Sequence, residues 1–236
     1  MTEGELQELI TDCPVIYHMA ERGSWESIQQ HGLLSTSALL DLYEIRGEAR
    51  RRIESLRRTD SISITHPHYG SAVLRDQLPL NDAGLARCLK DGLTPADWYR
   101  MLNARVFFWL TRERLLRLLR AGSYAEQEHD VLEVDCGSLV EAYRAQITLC
   151  PMNSGCTKPF PHPRGLDTFK GIEAYSYDHW RRKGRKRGER VVELSVLHSV
   201  PDIARFVRRV TVMQGETIKA VLWEQVVLSN PRDSQV

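Results

Sequence analysis

The sequence predicts a single α+β domain, and three observations support this prediction. The chain has 236 residues, of which 42% are hydrophobic and 27% charged, a composition typical of one large globular domain. Strand-like and helix-like apolar segments follow one another without strict βαβ alternation, which argues against a doubly wound parallel sheet. No internal repeat and no linker-like segment divides the chain. We therefore expect residues 1–236 to form one domain.

The N-terminal half alternates short apolar strands with amphipathic helices. A strand over 15–19 is followed by a helix over 25–31, with Ser24 as the predicted N-cap and Gly32 as the residue that ends the helix. The same reading predicts helices over 36–43, 47–56, 82–90 and 95–102, and strands within 60–69 and over 72–76. Thr94 and Thr111 are the predicted N-caps of the helices that begin at 95 and 112.

The C-terminal half carries the longest predicted loop. Strands are predicted over 105–110, 131–134, 191–197, 206–213 and 218–224, and helices over 112–120 and 138–143. Residues 150–171 are rich in Pro and Gly and form a predicted loop insertion. So long a loop within a compact domain is usually functional or disordered. The tail 230–236 is expected to be loosely held.

The ends and the apolar runs indicate a cytoplasmic protein without a membrane partner. The N-terminus is acidic and lacks the apolar core of a signal peptide. The longest apolar runs, such as 106–110, are too short to cross a bilayer. The five cysteines are odd in number and scattered, so we expect free thiols and no disulfide framework.

The net charge of +1 conceals two basic clusters, at 50–58 and 181–190. Dense local positive charge suits an anionic partner such as nucleic acid or a phosphate-rich cofactor. The ordinary alternative is solvated surface charge, and the clusters alone do not decide between the two.

Common nucleotide-binding and hydrolase motifs are missing from the sequence. It contains no phosphate-binding loop, no G-x-G-x-x-G after a strand and no G-x-S-x-G. His66 and His68, and the set Cys150, Cys156 and His162, do not match standard zinc-ligand spacing, so no metal site is predicted. Thiol catalysis by Cys150 or Cys156 has no local support.

Three polar residues interrupt predicted apolar strands: His18, Arg75 and Glu193. Burying an unpaired carboxylate costs several kcal/mol, roughly, so Glu193 either faces solvent, pairs with a cation or serves a site. Each of the three has an ordinary structural explanation when it is considered alone. Together they can converge in one cleft, which favours a functional site.

Three segments of the sequence resemble DarT-type nucleic-acid ADP-ribosyltransferases. Residues 17–20 and 25–33, Y-H-M-A and W-E-S-I-Q-Q-H-G-L, resemble the family's opening pattern H-x-T-x-x-N-x-x-x-I-x-x-x-G-L. Residues 97–110 look like its D-Y-V-P-F-Y-F strand and the residues around it. Residues 190–203 resemble its A-E-F-L-V … V-P-x-x-I segment. The opening is also similar to that of tRNA 2′-phosphotransferases, which share the fold. The matches occur in family order over most of the chain.

The resemblance implies an ADP-ribosyltransferase-like domain, with a split, mostly antiparallel β-sheet core and peripheral helices, that uses NAD as a substrate. Glu193 would be the catalytic carboxylate, stabilising the oxocarbenium-like centre formed as nicotinamide leaves. Arg75 is assigned by its position as the cation that holds the diphosphate or the target. The residues implied to contact NAD are Tyr17, His18, Met19, Trp25, Ile28, Gly32, Leu33 and Phe108.

The segment before the catalytic glutamate, residues 172–190, is the target-recognition loop that the resemblance implies. Aromatic side chains stack on bases and Arg follows phosphates, so this loop predicts transfer of ADP-ribose to a base of single-stranded or flipped-out DNA or RNA. By analogy the enzyme would be a toxin or phage-defence effector with an antitoxin-like protein partner. Protein or RNA 2′-phosphate acceptors, and a non-catalytic nucleic-acid-binding protein, stay open. The predicted nucleic-acid contacts are Tyr177, Trp180, Arg181, Arg182, Arg185 and Arg187.

Overall fold

The computed structural model describes residues 1–225 and confirms the α+β class. Helices and strands are interleaved along the chain, and the strands pair antiparallel. The α-helices of the described residues are α1 (Glu3–Asp12), α2 (Trp25–His31), α3 (Thr36–Leu42), α4 (Gly47–Ser55), α5 (Asp82–Cys88), α6 (Pro95–Asn103), α7 (Arg112–Leu119), α8 (Cys136–Tyr143) and α9 (Tyr177–Arg182).

One eight-stranded antiparallel sheet organises the domain, with the strand order β12-β11-β6-β1-β5-β9-β7-β8. Two small pairs, β2 with β10 and β3 with β4, stand beside it. The strands are β1 (Val15–Glu21), β2 (Leu33–Leu34), β3 (Ile62–His66), β4 (Gly70–Leu74), β5 (Arg105–Trp109), β6 (Glu128–Asp135), β7 (Ile147–Cys150), β8 (Lys170–Gly171), β9 (Glu193–Leu197), β10 (Ser199–Val200), β11 (Val207–Gln214) and β12 (Thr217–Glu224).

Helices cover both faces of the sheet because strand residues alternate between the faces. On one face, buried side chains of α1, α2 and α8 pack against strand residues such as Phe108 and Leu194. On the other face, α5 and α6 pack near Phe107 and Phe169, and α7 packs against Met19 and Val131. The domain therefore has three layers, with the sheet in the middle.

A separate small cluster lies beside the main sheet. Apolar residues of α3 and α4 pack against the β3–β4 hairpin, with Leu40, Ile64 and Leu74 fully buried among them. The hairpin pairs in five consecutive registers, from Ile62 opposite Leu74 to His66 opposite Gly70. This unit forms one wall of the cavity described below.

The cap predictions have mixed outcomes. Thr94 and Thr111 accept N-terminal amide hydrogen bonds of α6 and α7, as predicted. Ser24 is the N-cap residue of α2, as predicted, but its side chain makes no capping bond. Asp130 of β6 does this work instead, accepting from the Gly23 and Trp25 amides at 3.0 and 3.2 Å. A carboxylate distant in sequence therefore fixes the start of α2.

Six of the helices and strands have no counterpart among the predicted ones: α1, β2, β7, β8, α9 and β10. Helix α1 begins with a reciprocal capping box between Thr2 and Glu5 and buries Leu6 and Leu9. The predicted loose tail lies outside the described residues. Over residues 1–225 no helix has the length and apolarity needed to cross a membrane.

Candidate functional site

The central sheet opens between β1 and β5. These strands share a single register pair, Tyr17 opposite Trp109, whereas β1 pairs with β6 along its whole length. A cavity of about 480 Å³ lies at this opening, within the size range of small-molecule sites. Its walls come from β1, α2, the start of α3, β4, β5, the loop at 153–155 and the first residue of β9.

Glu193 lies at the inner end of this cavity as the first residue of β9. Its side chain is buried, and the Ser154 amide donates to both carboxylate oxygens at 3.1 and 3.2 Å. Desolvation raises the pKa of Glu193 to about 7, against the opposing effects of the Ser154 hydrogen bond and the Arg164 and Arg114 charges. The carboxyl therefore titrates near neutral pH, as an acid–base group must.

Arg164 holds the loop that contacts Glu193. Its guanidinium is buried and donates to three loop carbonyls, those of Ser154, Cys156 and His162, at 2.8, 2.8 and 3.0 Å. The Trp98 indole also donates to the Ser154 carbonyl at 3.3 Å and lies under the guanidinium. The Ser154 carbonyl is thus held by Arg164 and Trp98, while the Ser154 amide donates to Glu193.

His18 enters the cavity from β1. Its Nδ1 lies 2.8 Å from the Phe107 carbonyl oxygen, and because a carbonyl only accepts, Nδ1 must donate. Burial lowers the pKa of His18 to about 4, so the ring is neutral at pH 7 and Nε2 is a hydrogen-bond acceptor. This tautomer suits a hydroxyl donor such as a ribose OH. The Phe108 ring lies 5.8 Å away, centre to centre.

Arg75 supplies positive charge to the cavity wall. It follows β4, lies over the Tyr124 ring at 4.9 Å and has no carboxylate oxygen within 4.0 Å in residues 1–225. Buried Arg58 donates to the Arg75 carbonyl at 2.8 Å and so fixes the backbone there. An unpaired, half-buried guanidinium favours an anionic ligand.

Gly32 joins two of the segments on which the family resemblance depends. Its φ of 82° lies in the region that favours glycine, and a Cβ there would lie 2.5 Å from the Pro201 Cα. The next residue, Leu33, pairs with Val200 in the β2–β10 pair. The G-L and V-P motifs therefore meet, and any larger residue at position 32 would separate them.

Most of the predicted site residues lie on the cavity wall. These are His18, Met19, Ile28, Gly32, Leu33, Arg75, Phe108 and Glu193. The predicted NAD contacts of Tyr17 and Trp25 are wrong, because neither residue lines the cavity. Strand alternation turns Tyr17 away from His18, toward the α7 cluster, and Trp25 is buried against Trp223 with ring centres 5.9 Å apart.

Sequence reasoning missed Ser154, Arg164 and Arg58. Arg164 lies in the Pro-rich loop and Arg58 at the end of a charge cluster, where arginines are usually solvated. No local sequence signal distinguishes them. Arg58 and Ser154 act through contacts with residues that are distant along the chain, and Arg164 acts through the path of its own irregular loop.

The predicted nucleic-acid contacts of α9 and the following loop do not line the cavity. Tyr177 cannot stack on a base because its side chain is buried in the main core. Trp180 packs against the same core, with the Arg185 guanidinium 4.1 Å from its ring centre. Base stacking by Tyr177 is therefore wrong, and stacking by Trp180 would require Arg185 to move.

The arginines of this segment have partners within the protein. Arg181 and Arg182 both pair with Asp178, the second at 3.0 Å. Arg187 pairs with Asp12 of α1 at 2.8 Å. Arg185 donates to the Pro151 carbonyl at 2.7 Å. Phosphate binding by these four arginines stays a prediction.

The alternative chemistries gain little from the structure. In residues 1–225 no group of three or more His, Cys, Asp or Glu side chains is arranged to hold a metal ion. All five cysteines are free. Cys150 lies opposite Glu193 in the sheet, but desolvation raises its pKa well above the ordinary value, which disfavours the thiolate.

A family model described as "Family of unknown function (DUF7002)" matches residues 14–207, which is most of the chain. The chain therefore belongs to this family. No protein with a curated description matches it. The matched range contains all the cavity residues named above.

Proposed function

We propose that the chain is an NAD-dependent ADP-ribosyltransferase that transfers ADP-ribose to a nucleic-acid base. The observation that carries the proposal is the convergence of Glu193, His18 and Arg75 on one cavity, at the point where the antiparallel sheet opens. Each of these three residues interrupts a different apolar segment of the sequence. The cavity offers a carboxylate, a neutral hydrogen-bond acceptor and a free cation to the same ligand.

Each group has a role in cleaving the nicotinamide–ribose bond. The bond electrons leave with nicotinamide, which becomes neutral, and positive charge develops on the ribose C1″. Ionised Glu193 stabilises this charge, accepts from the ribose 2′-OH and receives the proton that the attacking base nitrogen loses as it bonds to C1″. His18 Nε2 accepts from a ribose hydroxyl, and Arg75 binds the diphosphate.

The covered position of Glu193 favours a water-poor reaction centre. Its side chain is 4% exposed, with the 153–155 loop over it. In such an environment electrostatic stabilisation is stronger than in water, and hydrolysis of the activated ribose is disfavoured. The half-ionised state near pH 7 predicts activity that rises as the pH increases through about 7.

An RNA 2′-phosphate acceptor is the second candidate. The observation that favours it is that Arg105 also lines the cavity, and no carboxylate within residues 1–225 lies within 4.0 Å of Arg75 or Arg105. A second guanidinium suits an additional phosphate beyond the dinucleotide. The products separate the two candidates. A base acceptor keeps the ADP-ribose, whereas with a 2′-phosphate acceptor the RNA leaves with a free 2′-OH and the ADP-ribose carries the phosphate away as a cyclic phosphate.

The test is incubation with NAD labelled in the ADP-ribose portion, together with single-stranded DNA, RNA or protein. We expect nicotinamide release and label on one nucleic acid, both reduced at least about 10³-fold by Glu193→Gln. The matched control is Glu113→Gln, which changes an exposed glutamate of α7. Equal activity of Glu193→Gln and the control, or no release by the wild-type protein, would refute the proposal.

A further inference from the structure

The turn of the β3–β4 hairpin carries an unusual concentration of aromatic rings. His66 stacks on Tyr69 with ring centres 4.6 Å apart and an interplanar angle of 24°. His68 lies 5.7 Å from His66. Tyr43, which follows α3, lies beneath, 6.0 Å from Tyr69 between ring centres, and its hydroxyl donates to the Tyr69 carbonyl at 3.1 Å. A solvent-facing turn usually carries Gly, Pro, Asn, Asp or Ser, so this arrangement requires an explanation.

His31 links these rings to the cavity. It is the last residue of α2 and lines the cavity, and its ring meets the edge of Tyr69 at 5.4 Å and 82°. The hairpin residues Ser71 and Ala72 line the same cavity. The rings of His31, His66 and Tyr69, which we call the ring platform, therefore lie at the mouth of the cavity and not on a remote surface.

The platform is both accessible and firmly supported. The three side chains are half-buried, whereas Tyr43 beneath them is buried. The hairpin is continuously paired, and its apolar side packs on α3 and α4. Rings held in this way can stack on a ligand without a large further loss of conformational entropy.

The platform also presents a defined hydrogen-bond donor. The His68 amide donates to His66 Nδ1 at 3.2 Å, so the His66 ring proton lies on Nε2. A flat ligand that stacks on Tyr69 can thus meet a donor at its edge. The platform contributes two imidazoles and a phenol but no carboxylate, and residues 1–225 contain no metal-ligand group of three.

We propose that the ring platform binds a nucleobase that belongs to a ligand whose phosphates lie in the adjoining cavity. Aromatic rings stack on bases of any sequence, and the unpaired Arg75 supplies the charge for phosphate. The inference rests on the proposed function for the cavity ligand. The base is either the adenine of NAD or a base of the acceptor strand, and the two arms of the experiment distinguish them.

The experiment measures two affinities by fluorescence anisotropy or emission, one for etheno-NAD and one for a fluorescein-labelled single-stranded dodecamer of DNA or RNA. Tyr69→Leu keeps an apolar side chain for packing but removes the ring, and Tyr69→Phe keeps the ring. His66→Ala removes the stacked imidazole. His162→Ala is the matched control, because His162 is an exposed imidazole of the 150–171 loop that does not line the cavity and lies outside the 172–190 segment. Circular dichroism and Tm verify that each variant is folded.

We expect Tyr69→Leu and His66→Ala to lower the affinity for one probe about tenfold, the loss of roughly one stacked base. The affinities of Tyr69→Phe and His162→Ala should stay within about twofold of wild type. Weaker etheno-NAD binding assigns the platform to adenine, and weaker dodecamer binding assigns it to the acceptor. Folded Tyr69→Leu and His66→Ala variants that bind both probes like wild type would overturn the inference, as would a wild-type protein that binds neither.

Nicotinamide release separates this inference from the proposed function. If Tyr69→Leu loses affinity for a probe and the wild-type protein releases no nicotinamide, the ring platform is supported as a base-binding site and the transferase proposal is refuted. Normal release with unchanged affinities for both probes would refute the platform alone.

Discussion

The basic segment 172–190 and the cavity differ in how their charges are satisfied. In the segment, arginines face carboxylates at short range, as in Arg182 with Asp178 and Arg187 with Asp12. In the cavity, Arg75 lies over the Tyr124 ring at 4.9 Å, and no carboxylate of residues 1–225 lies within 4.0 Å of it. Arg75 can therefore bind an anionic ligand directly, whereas Arg182 and Arg187 would first have to exchange a carboxylate partner.

The comparison teaches that the density of like charges along a sequence does not measure the charge available for binding. Helix α1, which sequence reasoning did not predict, brings Glu8 and Asp12 to the basic segment. Arg190 also pairs with Glu8 and is buried against Tyr177. Much of the segment thus serves to attach α1 to the domain. In the cavity, by contrast, buried Glu193 accepts from the neutral Ser154 amide, and buried His18 donates to the neutral Phe107 carbonyl.

The largest effect on stability is expected at Arg164. Arg164→Met removes the Arg164 donor from three loop carbonyls, of which only that of Ser154 keeps another donor within residues 1–225, the Trp98 indole at 3.3 Å. The free energy of unfolding should fall by roughly 2–4 kcal/mol. Losing this cation also raises the Glu193 pKa further, so the pH at which activity is half-maximal should move above about 7. Urea denaturation and a pH–rate profile measure the two effects.

Arg117→Met is the control for this prediction, because Arg117 is exposed and paired with Glu113 on α7. It should change stability by less than about 0.5 kcal/mol. If Arg164→Met proves as stable as Arg117→Met, the loop does not depend on Arg164.

The pH dependence of stability should reveal Glu193 and His18 separately. Between pH 4.5 and about 7 the folded state holds a proton on Glu193 that the unfolded state has lost, so the free energy of unfolding falls as the pH rises. His18 has the opposite effect on the free energy of unfolding between about pH 4 and 6.5. Over this range the unfolded state holds a proton on His18 that the buried ring of the folded state does not bind. The two effects largely cancel between pH 4.5 and 6.5.

Glu193→Gln removes the first effect and leaves the second. Relative to wild type, its free energy of unfolding should increase as the pH rises from 4.5 to 7, by up to roughly 3 kcal/mol. Thermal or urea denaturation over this range, with Glu113→Gln as the exposed control, measures the difference. A difference independent of pH would show that Glu193 titrates as an ordinary exposed carboxyl.

Arg75→Gln should weaken NAD binding about tenfold, because a charge-assisted phosphate contact contributes roughly 1.5–3 kcal/mol. Isothermal titration calorimetry in the Glu193→Gln background avoids cleavage of the ligand. Arg117→Gln is the matched control, and Arg75→Lys should retain part of the affinity. An unchanged Kd for Arg75→Gln would remove the cation from the proposed site.

The smallest effect is expected from Arg181→Ala and Arg182→Ala. Both side chains are exposed and share Asp178, so each substitution should change stability by less than about 0.5 kcal/mol. Their effect on affinity for single-stranded DNA should stay within about twofold, less than that of Arg75→Gln on NAD. A tenfold or larger loss of affinity for single-stranded DNA would show that the basic segment binds nucleic acid directly, against the comparison above.

Local patterns predicted the elements that depend on local chemistry. The T-P dipeptide at Thr94-Pro95 begins α6 with a capping box, and Gly32 ends α2 with a positive φ. The period of apolar residues located β5 and α7 to within one residue. Polar residues that interrupt apolar strands identified His18, Arg75 and Glu193, and these do lie on one cavity.

The rest depends on contacts between residues far apart in the chain. Ser154 and Arg164 reach Glu193 through a loop whose path no residue pattern specifies. In the sequence, Tyr177 is an aromatic residue beside a basic loop and looks exposed. In the structure it is buried in the main core together with residues of α1, a helix that the sequence did not predict. Trp25 reads as a ligand contact because it begins the α2 motif, but Asp130 fixes the turn that points the ring inward.

The most direct test of the central claim is a crystal structure with a carba-NAD analogue, which cannot lose nicotinamide. We expect density for the dinucleotide in the cavity between β1 and β5. The nicotinamide-side ribose should lie within hydrogen-bond distance of Glu193, and the diphosphate should contact Arg75. Density for the analogue against the 172–190 segment, or a cavity that stays empty at a saturating concentration, would contradict it.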